Sequence, residues 1–364
     1  MRIALYGSSL VSSYWNGAAT YYRGILRALA GHGHWIRFFE PDAFERQSHR
    51  DIEPPDWCEV VVYPATAEGV RDALAAAAEA DVVIKASGVG YADEALLDGI
   101  LAHAAPGALR LFWDVDAPAT LAELAGDPGH GLRAALPALD LVLTYGGGEP
   151  VQRAYAGFGA RGCVPIYNAL DPQAHHPVPP DARYRADLSF LGNRLPDREA
   201  RVESFFLAPA QALEQSSFLL GGSGWHDKPV AGNVRVLGHV PTAEHNAFNA
   251  SARIVLNISR DSMARTGFSP ATRVFEVAGS GACLMSDAWE GLEQFLTPGE
   301  EVVAVRDGQD VVEALLGLAP ETLRRIGQAG RERVLREHTY DRRARQLHEV
   351  LGTALRARRE GAAA

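Results

Sequence analysis

The stretch Ile254–Asp287, IVLNISRDSMARTGFSPATRVFEVAGSGACLMSD, reads as strand, polar loop, helix and strand. Ile254–Ile258 is short, apolar and β-branched, and the chain turns polar between Asn257 and Arg265, which places a loop at the carboxyl end of a buried strand. Ser269 is positioned to cap a helix that begins at Pro270 and runs to about Ala278, where Gly279, Ser280 and Gly281 stop it. Ala282–Met285 reads as the following strand. A helix opening at the carboxyl edge of a parallel sheet directs free N–H groups and the positive end of its dipole into the crevice above, which suits a phosphate. Arg273 and Glu276 share one helical face, so the first is placed to meet a phosphate oxygen and the second to accept hydrogen bonds from ribose hydroxyls. The competing reading is an i,i+3 ion pair on a solvated face, worth only about 0.2–0.5 kcal/mol.

Working outward, strand-like runs precede this stretch at Ile3–Tyr6, Trp35–Phe39, Val60–Tyr63, Val82–Lys85, Leu109–Trp113, Leu141–Thr144, Leu188–Leu191, Phe218–Leu220 and Val234–Leu237; Val302–Val305 follows it. Helix-like segments rich in alanine, leucine and arginine separate most of them, which predicts an α/β protein with parallel sheets covered on both faces. At 364 residues the chain has length for two domains. The polar segment NALDPQAHHPVPPDAR, with Pro172, Pro177, Pro179 and Pro180, has linker composition and leaves six strands on each side. The expectation is two doubly wound, Rossmann-like domains facing across a cleft: 1–167, a linker at 168–185, 186–338, and a solvated C-terminal helix and tail at 339–364. His175 and His176 are expected to be exposed.

A formal charge of −10 and a pI near 5.7, with no basic stripe, argue against nucleic acid as a partner. Cys58, Cys163 and Cys283 are isolated in sequence and fit neither a disulfide framework nor a structural zinc. No apolar run approaches the ~20 residues that span a bilayer, and Met1 leads directly into a strand, so no integral membrane segment and a cytoplasmic location are expected.

The first strand ends in Gly7-Ser8-Ser9 without the GxGxxG of a dinucleotide-binding turn, which counts against hydride transfer. The loop beyond it, with Ser9, Tyr14, Trp15 and Asn16, is the candidate acceptor-binding surface; its aromatic residues either stack on a flat acceptor or simply pack beside the next helix. Asp114 and Asp116 follow a strand in FWDVDAP, where a cleft-facing general base is expected, and Asp116 is equally placed to cap a helix. Their spacing is that of a metal-holding DxD, but in the half of the chain away from the phosphate signal, so no metal site is assigned. The glycine runs 146–148 and 221–224 either line the cleft or only make turns.

The chain resembles the CgeB-like (spore maturation) branch of the GT-B glycosyltransferases, glycosyl transferases group 1. FLGNRLPDRE (Phe190–Glu199), LGHV (Leu237–Val240), SPATRVFEVAGSGACLMSD (Ser269–Asp287) and WEGLEQFLTPGEEVV (Trp289–Val303) carry the resemblance, with NALD (Asn168–Asp171) similar to a domain-joining NGVD element. The resemblance implies transfer of a sugar from a nucleoside-diphosphate sugar, a co-substrate with no further cofactor and no metal, to a small-molecule, glycan or protein acceptor. It implies a donor site in the C-terminal domain, where Glu276 matches the ribose-binding carboxylate and Arg194 and Arg198 fall against the diphosphate; Arg273 is a third candidate there, and Ser269 at the helix start is counted with the donor-binding residues. Phe268 occupies a position where related retaining enzymes often carry a second glutamate. A nucleotide-sugar epimerase or hydrolase, and a non-catalytic nucleotide-sugar or glycan-binding protein, are the rival readings of the same scaffold.

Overall fold

A computed structural model describes residues 1–14 and 16–363. Contacts divide the chain into two compact units, Met1–Tyr167 with Tyr340–Ala364, and Asn168–Thr339.

The first unit is built on seven parallel strands: β1 (Arg2–Tyr6), β2 (Trp35–Asp42), β3 (Glu59–Pro64), β4 (Val82–Ala86), β5 (Leu109–Asp114), β6 (Leu141–Thr144) and β7 (Cys163–Pro165). Their order is β3-β2-β1-β4-β5-β6-β7, so the direction of winding reverses between β1 and β4. The central strands are apolar on both faces because helices cover both, and β4, VVIKA, is buried at every position including Lys85. β7 is a seventh strand where six are predicted. It is three residues long, ends in proline and pairs only through Val142–Thr144, the profile of an edge strand with little sequence signal.

The C-terminal segment is a helix, Tyr340–Ala363, and not the solvated element expected. Tyr340, Ala344, Leu347, Leu351 and Leu355 recur at helical spacing and are buried within the first unit. Its start closes on the helix Ala19–Gly31, where Gly24 lets the Tyr340 ring approach so near that a Cβ there would lie 2.3 Å from it. Arg358 and Arg359 fasten the far end to Asp140 and Asp81, at 2.9 and 2.7 Å.

The second unit holds β8 (Ala186–Leu191), β9 (Phe218–Gly221), β10 (Val234–Gly238), β11 (Ala252–Asn257), β12 (Leu284–Asp287) and β13 (Val303–Val305), all parallel in the order β10-β9-β8-β11-β12-β13. Its winding reverses between β8 and β11. The proline-bearing segment after Tyr167 packs into this unit: Leu170 is buried, and its N–H donates to the carbonyl of His338 at 2.8 Å. Gly222, at φ 119°, permits the turn after β9 to touch the one after β8; a Cβ there would meet the Gly192 carbonyl oxygen at 2.2 Å. That glycine run is therefore a close-packing turn.

Candidate functional site

Ligands of open α/β sheets lie beyond the carboxyl ends of the strands where the winding reverses. In the second unit this is the ground between the loop after β8 (Gly192–Leu195) and the loop after β11 (Ile258–Arg260). Both loops are fixed from below. Asp287, fully buried at the end of β12, accepts from the Ser259 N–H at 3.1 Å and from Arg201 at 2.7 Å. Asp197 accepts from Arg260 and from the Ser262 hydroxyl, at 3.0 and 2.7 Å.

The nearby helix begins at Thr272, not Pro270, and runs to Gly279. Ser269 does not cap it: its hydroxyl donates to the Gly267 carbonyl at 2.9 Å, and Ala271 is still extended at ψ 154°. The delay has a tertiary cause, because the Pro270 carbonyl accepts from the side chain of Asn168 at 3.1 Å and holds this segment open. Phe268 just before it stands at φ 47°, with its N–H bonded to the Glu290 carbonyl at 2.6 Å.

Arg273 and Glu276 do pair, at 3.6 Å, but in the interior and not on a solvated face. Glu276 is 8 % exposed. Burial raises its pKa, yet Arg273 foremost, then His175 and His245, outweigh burial and hold it below the ordinary glutamate value. His175, expected at the surface, is buried with its Nε2 3.8 Å from Glu276. Folding the proline-rich segment against the helix brings it there, which a linker reading excludes. His245 completes the cluster; burial, with Arg273 adding repulsion, lowers its pKa to about 4. Nothing in the sequence around His245 marks it.

The candidate arginines differ in what they do. Arg194 is tied into an ion-pair network with Glu199 at 2.7 Å and Asp227 at 3.0 Å, and Lys228 joins through Glu199. Its charge is already met, so it is removed from the diphosphate group. Glu199 and Glu203, the acidic neighbours of Arg198 along the helix, pair instead with Arg194 and Lys228. Arg198 lies over the Phe190 ring, one terminal nitrogen donates to the Asn193 carbonyl at 2.5 Å, and its buried Nε has no partner. Burial, then repulsion from Arg273 and Arg260, lowers its pKa to about 10. Arg198 thus stands under the repulsion of Arg273 near the helix start without an ion-pair partner among the described residues, while Arg273 is paired with Glu276.

In the first unit Asp114 is 0 % exposed, accepting from the Tyr155 hydroxyl, from the Thr120 hydroxyl at 3.0 Å and from the Asp116 N–H at 3.0 Å. Burial raises its pKa despite these bonds. A sealed, fully bonded carboxyl is a structural pin between β5 and two helices, not an acceptor-facing base. Asp116 takes the N-cap position of Ala117–Gly126, where its carbonyl accepts from Ala119 and Thr120 while its side chain makes no capping bond. Among the described residues no group of three His, Cys, Asp or Glu side chains is arranged to hold a metal ion.

Ser9 and Asn16 are buried scaffolding. The Ser9 hydroxyl donates to Glu40 at 3.0 Å, and the Asn16 amide donates to the carbonyls of Ser9 and Ser12 at 2.8 and 3.0 Å. Tyr14 is exposed at the same loop, stacked on His49 with ring centroids 4.0 Å apart. Trp15 lies outside the described residues. Gly147 and Gly148, at φ 91° and 50°, only make the turn into the helix Gly148–Gly157.

Two doubly wound parallel sheets of this kind make the GT-B fold, and solved structures share it across nearly the whole chain. Sucrose-phosphate synthase from Thermosynechococcus elongatus matches with a TM-score of 0.70 at 15% identity, covering 98% of this chain and 100% of that one. The HepE protein of Anabaena in complex with UDP and glucose gives 0.65 at 14% identity, over 97% and 100%. An alpha-glucosyltransferase in complex with UDP-glucose and DNA containing an abasic site gives 0.69 at 12%, over 97% and 99%. Residues 198–349 match the family model described as glycosyl transferase-like. That match takes in Arg198, Arg273, Glu276 and His245. No curated protein matches in sequence. No helix among the described residues is long and apolar enough to cross a membrane.

Proposed function

We propose that the protein is a hexosyltransferase of the CgeB-like kind, acting in the cytoplasm without a metal ion. It moves a sugar from a nucleoside-diphosphate sugar, held by the second unit, to an acceptor held by the first. The observation that carries this is Arg198, partly buried with an unpartnered Nε and repelled by Arg273, near the helix start where Arg273 pairs with Glu276. A diphosphate supplies the missing charge, and its adjoining ribose supplies hydroxyls for Glu276. UDP-glucose is the first donor to try, since structures of similar fold are described in complex with it.

In this reading the two guanidinium groups and the start of Thr272–Gly279 stabilise the departing diphosphate as the glycosidic bond breaks, so preorganised charge supplies most of the rate. With Asp114 sealed, the leaving phosphate oxygen takes the proton of the attacking hydroxyl. Calorimetric titration with UDP-, GDP-, TDP- and ADP-sugars and their free diphosphates tests the site, with Glu276→Ala alongside. One nucleotide series is expected to bind, tenfold or more weaker in the variant if its ribose bonds are buried. Equal affinity in the variant refutes the ribose assignment; donor binding without turnover on any acceptor favours the non-catalytic reading.

A further inference from the structure

We propose that a cavity of about 370 Å³ at the carboxyl edge of the first sheet selects a ligand in which a single ring carries one anionic group, a carboxylate first of all. Its role as the acceptor site rests on the glycosyl-transfer reading; its ligand chemistry does not.

The cavity is lined by Tyr14, Phe44, Glu45, Arg46 and Gly90. These residues come from the loops after β1, β2 and β4, and β1 and β4 are the strands between which the winding reverses. Arg46 joins those loops. Its Nη1 donates to the Ser8 carbonyl at 3.1 Å and to the Val89 carbonyl at 3.0 Å. It is 7 % exposed, and among the described residues its buried Nε has no hydrogen-bond partner and no carboxylate forms an ion pair with it.

The two nearest carboxylates are occupied. Glu40 accepts from the Ser9 hydroxyl, the Leu10 N–H and Gln47, and Asp93 accepts from Lys85 and from the N–H groups of Val89 and Gly90. Burial accordingly lowers the Arg46 pKa although both carboxylates oppose it. A guanidinium in that position needs a partner anion.

Around it are ring surfaces. Phe44 is 57 % and Tyr14 37 % exposed, and the Phe44 ring lies 5.1 Å beneath the Arg46 guanidinium. Phe44 and Glu45 stand at φ 57° and 56°, a left-handed turn of two non-glycine residues that presents Phe44 outward while Arg46 is buried. Such strain persists where the surroundings enforce it, and it concentrates at ligand sites. The volume is at the small end for ligand pockets, enough for one substituted ring. Glu45 on the same wall repels a second anion.

The test is binding of paired probes to the full chain by calorimetry: 4-hydroxybenzoate against 4-hydroxybenzamide, and glucuronate against glucose. The acid of at least one pair is expected to bind at least tenfold more tightly than its neutral partner, and the responding pair tells an aromatic acid from a sugar acid. Arg46→Gln should erase that preference. Because Arg46 also ties two loops together, Phe44→Ala and Tyr14→Ala serve as exposed variants that weaken acid and amide alike at unchanged thermal stability. Failure of both acids to outbind their partners, preference surviving Arg46→Gln, or affinity unmoved in Phe44→Ala and Tyr14→Ala overturns the proposal. UDP affinity measured on the same samples separates the outcomes: UDP bound without acid preference sinks this site alone, and acid preference without UDP binding sinks the transferase reading alone.

Discussion

Replacing Glu276 by glutamine tests whether the buried pair stabilises the second unit as well as shaping its site. The substitution keeps the size and one acceptor oxygen, turns the other into an NH2 donor, and removes the charge. At the 3.6 Å separation from Arg273, two unit charges in a medium of effective dielectric about 20 attract by about 4–5 kcal/mol. Removing one partner of a buried pair typically destabilises by about 3–5 kcal/mol, because the other charge is left stranded. Glutamine still accepts hydrogen bonds, which returns part of this, so about 2–3 kcal/mol is expected. For a unit of this size that lowers the melting temperature by roughly 5–10 °C. Glu276 has a depressed pKa, so its contribution is present above the unfolded glutamate value of 4.5 and disappears as pH falls through the lower folded value. Scanning calorimetry of both proteins at pH 7 and at pH 4 should therefore show the gap closing in acid. A variant that melts within 2 °C of the parent at pH 7, or a gap that is constant with pH, refutes the reasoning.

Arg198→Met removes a partly buried cation that no carboxylate among the described residues pairs, so chemical denaturation should show stability unchanged or raised, while UDP affinity falls roughly tenfold to hundredfold; a large loss of stability contradicts the anion-site reading. His245 titrates near 4 in the folded chain against 6.5 unperturbed, so the unfolded state binds more protons between those values and stability falls as pH drops through that window. Urea melts at pH 7 and 4.5 should show about 2 kcal/mol of that loss absent in His245→Gln, and identical pH dependence would count against it. Asp114→Asn should lower the melting temperature by several degrees yet leave kcat per folded molecule within about threefold; a loss beyond hundredfold at intact stability restores Asp114 as a base.

The sheets were legible because their strands are apolar on both faces and flanked by helices, and all twelve predicted strands are present. β7 was not, since three residues ending in proline carry no periodicity. Arg198, Arg273 and Glu276 stood out as candidates from their placement after strands and at a helix start. What each one meets was not legible, because Arg194 finds Asp227 and Glu276 finds His175 through contacts distant in sequence. The prolines around His175 have the composition of a solvated linker, and only packing reveals that the segment closes over Glu276. Asp114 misled in the opposite direction: two carboxylates past a strand look catalytic until Tyr155 and Thr120 are seen to enclose one of them.

The return of Tyr340–Ala363 to the first unit makes the second unit an insertion in the first, and this sets an order of assembly during synthesis. The ribosome finishes all of Asn168–Thr339 before the last helix of the first unit exists. The unit that starts later in the sequence is thus the first able to fold to completion, as one uninterrupted piece. Until Tyr340 emerges to fill the notch at Gly24, the nascent first unit keeps apolar surface of its Ala19–Gly31 helix uncovered. A stop codon after Thr339 would spare one unit whole and strand the other with that surface bare, the state in which chaperone capture and aggregation compete with folding.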